Sequence, residues 1–470
     1  MRISRPWPAL ALLLLVAPVS ASEAHDAARA LDAGRLDAAG AARAWREAGL
    51  TPAEAATLLR AARPSGEARP GEHTLALVDP HGVRTDLVVV LPEQPRPDGR
   101  YGLLVTLHGL RGDARQLLPF ARRIAPPGFI VACPTAQHLP PEREAEDAAL
   151  LGQALGLVGA PEDDGGEGPD AERRRRLRRL AENATRSALP HWWGYEHDGF
   201  PLLAADEVRR RWPVDPDRVL LLGYSMGGYG TWNVGLRHPD RFAGIAPLAG
   251  GISRQEMITP RDDRMRHVLG NARMLPSFFV HGSADRVVPA RFSRTIAEDL
   301  AALGAEHVFE EVEGGGHILM RFLQGDAVSD RLEAWLAARA REPHPRRIAH
   351  HALSPAHGDA WWLRVEATDG TPARVEAEAL EGNRIVVTTA GVRRLTVRLD
   401  PALVDVARPV RLEVDGVVVH EGVVAASLEA VAGSFAARRD PSLVYERAVT
   451  IDLPARPAAA GAPRQTPRYF

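Results

Sequence analysis

Gly223-Tyr224-Ser225-Met226-Gly227 constrains this chain more than any other stretch. It follows the apolar run Val219-Leu220-Leu221-Leu222 and leads into Gly228-Tyr229-Gly230-Thr231-Trp232-Asn233-Val234, a helix-compatible segment. In a strand, tight turn and helix, a G-x-S-x-G serine stands on a strained backbone with its hydroxyl above the sheet edge. Positions 223 and 227 need glycine, because side chains would collide in so tight a turn. The Met226 N–H then heads a helix and is free to meet a developing oxyanion.

A serine hydroxyl is a poor nucleophile until a base takes its proton, and the base needs a third group to orient it. Downstream, the apolar strand Ser277-Phe278-Phe279-Val280 runs into His281-Gly282-Ser283-Ala284-Asp285. The β-rich run Val308-Phe309-Glu310-Glu311-Val312-Glu313 ends in Gly314-Gly315-Gly316-His317. Asp285 and His317 thus each follow a strand, where an open α/β sheet builds its site. Asp263 is the reserve acid, although Arg261-Asp262-Asp263-Arg264 reads as a solvated charge cluster. Leu103-Leu104-Val105-Thr106-Leu107 is a buried-strand pattern, and the following His108-Gly109-Leu110-Arg111 loop is placed to supply a second oxyanion donor. We assign that donor to the Leu110 N–H, with Arg111 in reserve and His108 as a structural residue.

Together these segments resemble the α/β-hydrolase superfamily, more narrowly bacterial esterase/dienelactone-hydrolase and prolyl-oligopeptidase-like (peptidase S9-type) catalytic domains. The resemblance lies in LLVTLHG, DPDRVLLLGYSMGGYGTW, RHPDRFAGIAPLAGG, FFVHGSADRVVP and GGGH, and it extends over about residues 74–342. It implies an α/β fold with a doubly wound, mostly parallel sheet. It also implies a catalytic Ser225–Asp285–His317 triad and an acyl-serine intermediate. Substrate is left open, because this fold hosts many chemistries.

At 470 residues and 45% hydrophobic, the chain can bury one large core and a second, smaller one. A net charge of −2 gives no pull towards nucleic acid. The single cysteine, Cys133, excludes an internal disulfide and reads as a buried strand-end thiol. Arg2 and Arg5, the Leu/Ala core over 9–17 and Val19-Ser20-Ala21 fit a cleavable secretory signal, whose apolar run is too short to span a bilayer. Periplasmic or secreted location is therefore expected, with no stable membrane insertion.

Residues 22–71 read as a helical extension that packs on the catalytic domain or stays mobile; in it Thr51-Pro52-Ala53-Glu54 is a capping box. The catalytic domain is expected over 72–342, with an insertion at 137–200 as a candidate cover. That insertion ends in Pro190-His191-Trp192-Trp193-Gly194-Tyr195-Glu196-His197. Trp192, Trp193 and Tyr195 are candidate substrate-binding residues, a wall for a sugar or aryl group, with packing against the core as the alternative. His191 and His197 lack metal-ligand spacing, and His344, His350, His351 and His357 make only a weak metal candidate. After Pro343-His344-Pro345 the hydrophobic period changes to two, and Asp415-Gly416 marks a hairpin. Residues 346–453 are read as a small antiparallel β-sandwich and 454–470 as a disordered tail.

The expectation is an exported serine hydrolase that cleaves carboxylic esters of small-molecule or carbohydrate substrates, with no metal or organic cofactor and no nucleic-acid partner. The rivals are a prolyl-oligopeptidase-like peptidase and a non-catalytic protein that binds glycan or cell wall.

Overall fold

A computed structural model describes residues 21–454, apart from 62–63, 65, 67–68, 79–81, 83, 111, 139–189, 193–198, 253–266, 322, 324–326 and 370–371. The expected signal segment, the expected tail and most of the expected insertion lie outside the described residues.

The main sheet has eight strands: β1 (Gly71–Val78), β2 (Arg84–Leu91), β3 (Tyr101–Leu107), β4 (Phe129–Pro134), β5 (Val214–Tyr224), β6 (Gly244–Leu248), β7 (Ser277–Gly282) and β8 (His307–Val312). Their spatial order is β1-β2-β4-β3-β5-β6-β7-β8. β1 and β2 pair antiparallel at one edge, and every pair from β4 through β8 is parallel. The unbroken apolar runs of β3 and β5 follow from this, since a parallel strand is covered on both faces. Leu103, Val105 and Leu221 point to one face, against α5 (Gly199–Arg211), α6 (Met226–Arg237) and α7 (Arg291–Leu303). Leu104, Leu220 and Leu222 point to the other, against α4 (Leu118–Ile124) and α8 (Ala327–Ala338). Trp232 on α6 is core, with its ring 5.3 Å from that of Phe279. Cys133 is buried beside Thr106, and burial pushes its thiol up to about 12.

The C-terminal region contains two further sheets. One is β9 (Arg347–Ala352), β12 (Ala373–Leu380), β13 (Arg384–Ala390), β15 (Val410–Val414) and β16 (Val417–Gly422); the other is β10 (Asp359–Ala360), β11 (Leu363–Thr368), β14 (Val392–Leu399) and β17 (Arg447–Asp452). Their inner faces share one core that includes Val375, Ile385, Val387, Val365, Leu395 and Val397, so the arrangement is a sandwich. It is antiparallel except for β13 and β15, which run parallel. Asp415 and Gly416 both take positive φ, 52° and 80°, as a type I′ hairpin turn demands.

Two expectations need correction. The C-terminal region is not all β: Leu428–Arg438 forms α9, capped by Ser427, whose side chain accepts from the Ala430 N–H. Its apolar positions Leu428, Val431, Ala432 and Phe435 follow the helical period. The N-terminal extension does not lie mainly on the catalytic unit. Its helices α1 (Ala21–Asp32), α2 (Ala38–Glu47) and α3 (Pro52–Arg60) bury Leu31, Trp45 and Leu59 against α9. The Thr51/Glu54 capping box is formed as expected. Neither unit can cover its apolar stripe alone, which is why the two ends of the chain meet.

Histidines lie where the sandwich meets the segment around His267 and Asn271 that precedes β7. His350 donates to the His357 carbonyl at 2.7 Å, and His351 donates to the His267 carbonyl at 2.6 Å. Burial lowers His267 and His350 to about 4 and also lowers His351. An unfolded histidine titrates near 6.5, so between about 4 and 6.5 the unfolded chain binds more protons than the native one. Stability then rises with pH across that window and is lost as pH falls through it. Melting temperatures should drop steadily from pH ~7 to pH ~4.5; a flat profile there would show that these rings are not held neutral.

Candidate active site

Ser225 sits between β5 and α6 with φ 55° and ψ −116°, a conformation non-glycine residues rarely adopt. Its N–H donates to the Leu248 carbonyl at 2.8 Å, which ties the turn to β6. The flanking glycines are obligatory. A Cβ at 223 would stand 2.1 Å from the Gly227 carbonyl oxygen, and one at 227 would stand 1.9 Å from that of Leu107.

The structure brings Ser225, His317 and Asp285 into one chain of hydrogen bonds. The Ser225 hydroxyl donates to His317 Nε2 at 2.9 Å, and His317 Nδ1–H donates to Asp285 Oδ2 at 2.7 Å. The carboxylate is required at Nδ1, because it selects the tautomer that leaves Nε2 bare to accept the serine proton. Asp285 follows β7 in a turn, and its Oδ1 accepts from the N–H groups of Val287 (2.8 Å) and Val288 (2.9 Å). Burial opposes the charge of Asp285, but hydrogen bonds from His281, His317 and the backbone outweigh it and hold the carboxyl well below the usual range. His317 follows the glycine run after β8. Of those glycines only Gly314 has positive φ (68°); a Cβ at 315 would stand 2.9 Å from the Val312 carbonyl oxygen, and the Gly315 carbonyl in turn leaves no room for a Cβ at 282.

Met226 is the first residue of α6, so its N–H has no acceptor within the helix. Across the site, the Gly109 N–H donates to Gln116 Oε1 at 2.7 Å, so that amide is taken and Leu110 is next in the loop. Leu110 is exposed there, while Arg111 lies outside the described residues, as does Asp263. His108 is structural: its Nε2 accepts from the Ala136 N–H at 2.9 Å and its Nδ1–H donates to the Gly109 carbonyl at 2.8 Å. Burial lowers the pKa of the ring and outweighs the hydrogen bond to the Gly109 carbonyl, which acts the other way.

The aromatic wall is not borne out at Trp192. Trp192 is 1% exposed, donates from Nε1 to the His108 carbonyl at 2.8 Å and packs edge-on against the His108 ring. It braces the loop that begins at His108 from behind, with no face left for a sugar. Trp193 and Tyr195 lie outside the described residues.

Sequence reasoning missed two supporting residues. The Tyr224 hydroxyl donates to the His317 carbonyl at 2.9 Å, which ties the elbow to the histidine loop, and Gln116 shapes the Gly109 turn. Neither carries a spacing signal, because each acts through one contact distant in sequence. Among the described residues, no group of three His, Cys, Asp or Glu side chains is arranged to hold a metal ion. No helix among them is long and apolar enough to cross a membrane.

A relaxed strand order of this kind, an elbow serine and an acid–histidine pair after β7 and β8 together decide the class. This part of the chain has the α/β-hydrolase fold. The Phospholipase/Carboxylesterase family model matches residues 204–328, which run from α5 through the elbow and both triad partners to the start of α8. Lysophospholipase-like protein 1 of Mus musculus is 27% identical over 128 residues, 27% of this chain and 48% of that protein. The putative esterase NocK of Nocardia uniformis subsp. tsuyamanensis is 31% identical over 108 residues, 23% of this chain and 28% of that protein. The chain thus spans about half, or less, of the length of the curated relatives it matches. Among solved structures, the S-formylglutathione hydrolase FrmB of Staphylococcus aureus aligns over 58% of this chain and 99% of its own, at 18% identity and a TM-score of 0.36.

Proposed function

We propose that this protein is an exported serine esterase that cleaves carboxylic esters through an acyl-serine intermediate. The observation that carries the reading is the unbroken Ser225–His317–Asp285 hydrogen-bond chain set on a strained elbow. Ser225 Oγ attacks the ester carbonyl as His317 Nε2 takes its proton. The N–H groups of Met226 and Leu110 hold the tetrahedral oxyanion. His317 returns the proton to the departing alcohol as the C–O bond breaks, which leaves Ser225 acylated. Water, deprotonated by the same imidazole, then attacks the acyl group, and the acid leaves as Ser225 regains its proton. Asp285 stays ionised throughout and stabilises the imidazolium, a role its depressed pKa suits.

The names of the two curated relatives support an acyl ester over a peptide. A glycan-binding role finds little support in the sandwich. Its aromatic residues Trp361, Trp362, Phe435 and Tyr445 are all buried, so no exposed ring offers a stacking platform. Export rests on the charged and apolar pattern of residues 2–21.

A panel of p-nitrophenyl acyl esters run beside matched arylamides tests the chemistry. Turnover of esters with none of arylamides is expected. Arylamide cleavage at comparable kcat/KM would make the protein a peptidase, and turnover of neither would remove the esterase reading.

A further inference from the structure

His281 lies at the end of β7, wholly buried, four residues before Asp285. The mechanism above gives it no part. Its Nε2 faces two acceptors, the Val288 carbonyl at 2.8 Å and Asp285 Oδ2 at 3.3 Å. A ring nitrogen between two acceptors carries the proton. Nδ1 is then bare and accepts from the Ser293 hydroxyl of α7 at 2.7 Å. Asp285 Oδ2 is thereby the meeting point of two imidazoles, since His317 Nδ1 donates to it at 2.7 Å. Oδ1 is already filled by the Val287 and Val288 N–H groups, so the remaining freedom of the carboxylate is at Oδ2.

We infer that His281 is a positioning residue for the triad: its Nε2–H, aimed by Ser293, holds Asp285 Oδ2 in line with His317 and limits how strongly the carboxylate draws on the His317 proton. A carboxylate oxygen shared between two N–H donors is less basic than one that serves a single donor. The partner imidazole then gives up its proton more readily to the leaving alcohol. Among the described residues, Glu311 and Tyr224 are the titratable neighbours that bear on this pair. Glu311 lies opposite His281 on β8 and is engaged by Arg294 at 2.9 Å. The Tyr224 phenol, pushed up to about 12 by burial and by the charge of Asp285, stays protonated throughout the working range. Neither competes for Asp285 Oδ2.

The inference rests on the esterase reading, and its test separates the two. Wild type, His281→Leu, His281→Gln and Ser293→Ala would be compared by the pH profile of kcat/KM for a p-nitrophenyl ester and by the pH profile of fluorophosphonate inactivation. Leucine fills the volume without a donor, and glutamine restores an N–H at about the Nε2 position. For His281→Leu we expect kcat to fall by roughly 10–100-fold with KM nearly unchanged, and the acid limb to move up by about half a pH unit or more, because the carboxylate has lost a donor. His281→Gln should recover most of both, and Ser293→Ala should move the limb the same way by less. If His281→Leu does not fold, the glutamine and Ser293 variants carry the test. Variants with an unshifted limb, or a glutamine variant as impaired as leucine, would overturn the inference and leave His281 as packing only. Absence of any turnover or labelling in the wild type would instead overturn the esterase reading.

Discussion

Replacing Ser225 with alanine is expected to lower kcat for ester hydrolysis by about a millionfold while leaving the fold intact. The size follows from the position of the hydroxyl at the head of the relay, 2.9 Å from His317 Nε2. Without Oγ no acyl-enzyme forms, and what remains is ester bound near the two oxyanion N–H groups. The fold should survive because the strain belongs to the backbone at φ 55° and alanine inherits it unchanged. Asp285→Asn is expected to cost about ten-thousandfold, since an amide N–H at that site favours the wrong His317 tautomer. The check is kcat from purified variants whose circular dichroism and melting temperature match the wild type. A Ser225→Ala protein that keeps more than a trace of activity would mean another nucleophile.

The second large effect is structural. Arg438, at the end of α9, is almost fully buried between two carboxylates of different units. Its Nε donates to Asp240 Oδ2, just past the C-terminal end of α6, and its Nη1 donates to Asp359 Oδ1 at 3.0 Å. Asp240 also accepts from the Trp361 N–H at 3.1 Å. Arg341 repeats the arrangement between Asp217 (2.6 Å) and Asp440 (2.9 Å). Burial works against the charge of both arginines, but their carboxylate partners outweigh it and raise their pKa values. Removing one partner of such a cluster strands a buried charge, so Arg438→Met should cost about 3–5 kcal/mol. In a body of this size that corresponds to a drop in Tm of roughly 3–5 °C. The double variant Arg438→Met/Asp240→Asn should lose much less than the sum of its parts, because the stranded charge is gone. Thermal melts of the single and double variants measure this. Additive losses would mean that the two side chains are not coupled across the interface. The helix that starts at the candidate nucleophile ends beside this clamp, so the sandwich and the N-terminal helices on it form one body with the catalytic unit.

How much was legible in the sequence depended on the range of the contact that carries each feature. The elbow, the strands and the order Ser225, Asp285, His317 are written in local runs: an apolar strand, a glycine turn, a polar residue just beyond it. The hairpin at Asp415-Gly416 and the cap at Thr51 are local as well. The α9 helix was legible too, in Ser427 and the spacing of Leu428, Val431, Ala432 and Phe435, but it was absorbed into the period-two reading of its surroundings. The rest depended on pairs far apart in sequence. Trp192 reads as an exposed aromatic until the His108 carbonyl, 84 residues earlier, is seen to take its N–H. The Arg438–Asp240 pair spans 198 residues, and neither partner stands out among many charged neighbours. His281 lies within a recognised segment, yet only geometry shows which of its nitrogens faces Asp285.

The most direct measurement is intact-protein and peptide mass spectrometry after treatment with a fluorophosphonate, on wild type, Ser225→Ala, Asp285→Asn and His317→Ala. One adduct per chain, located on Ser225, absent from the alanine variant and slowed in the other two, is the predicted result. A folded wild type that takes no adduct, or an adduct that persists when Ser225 is gone, would contradict the account.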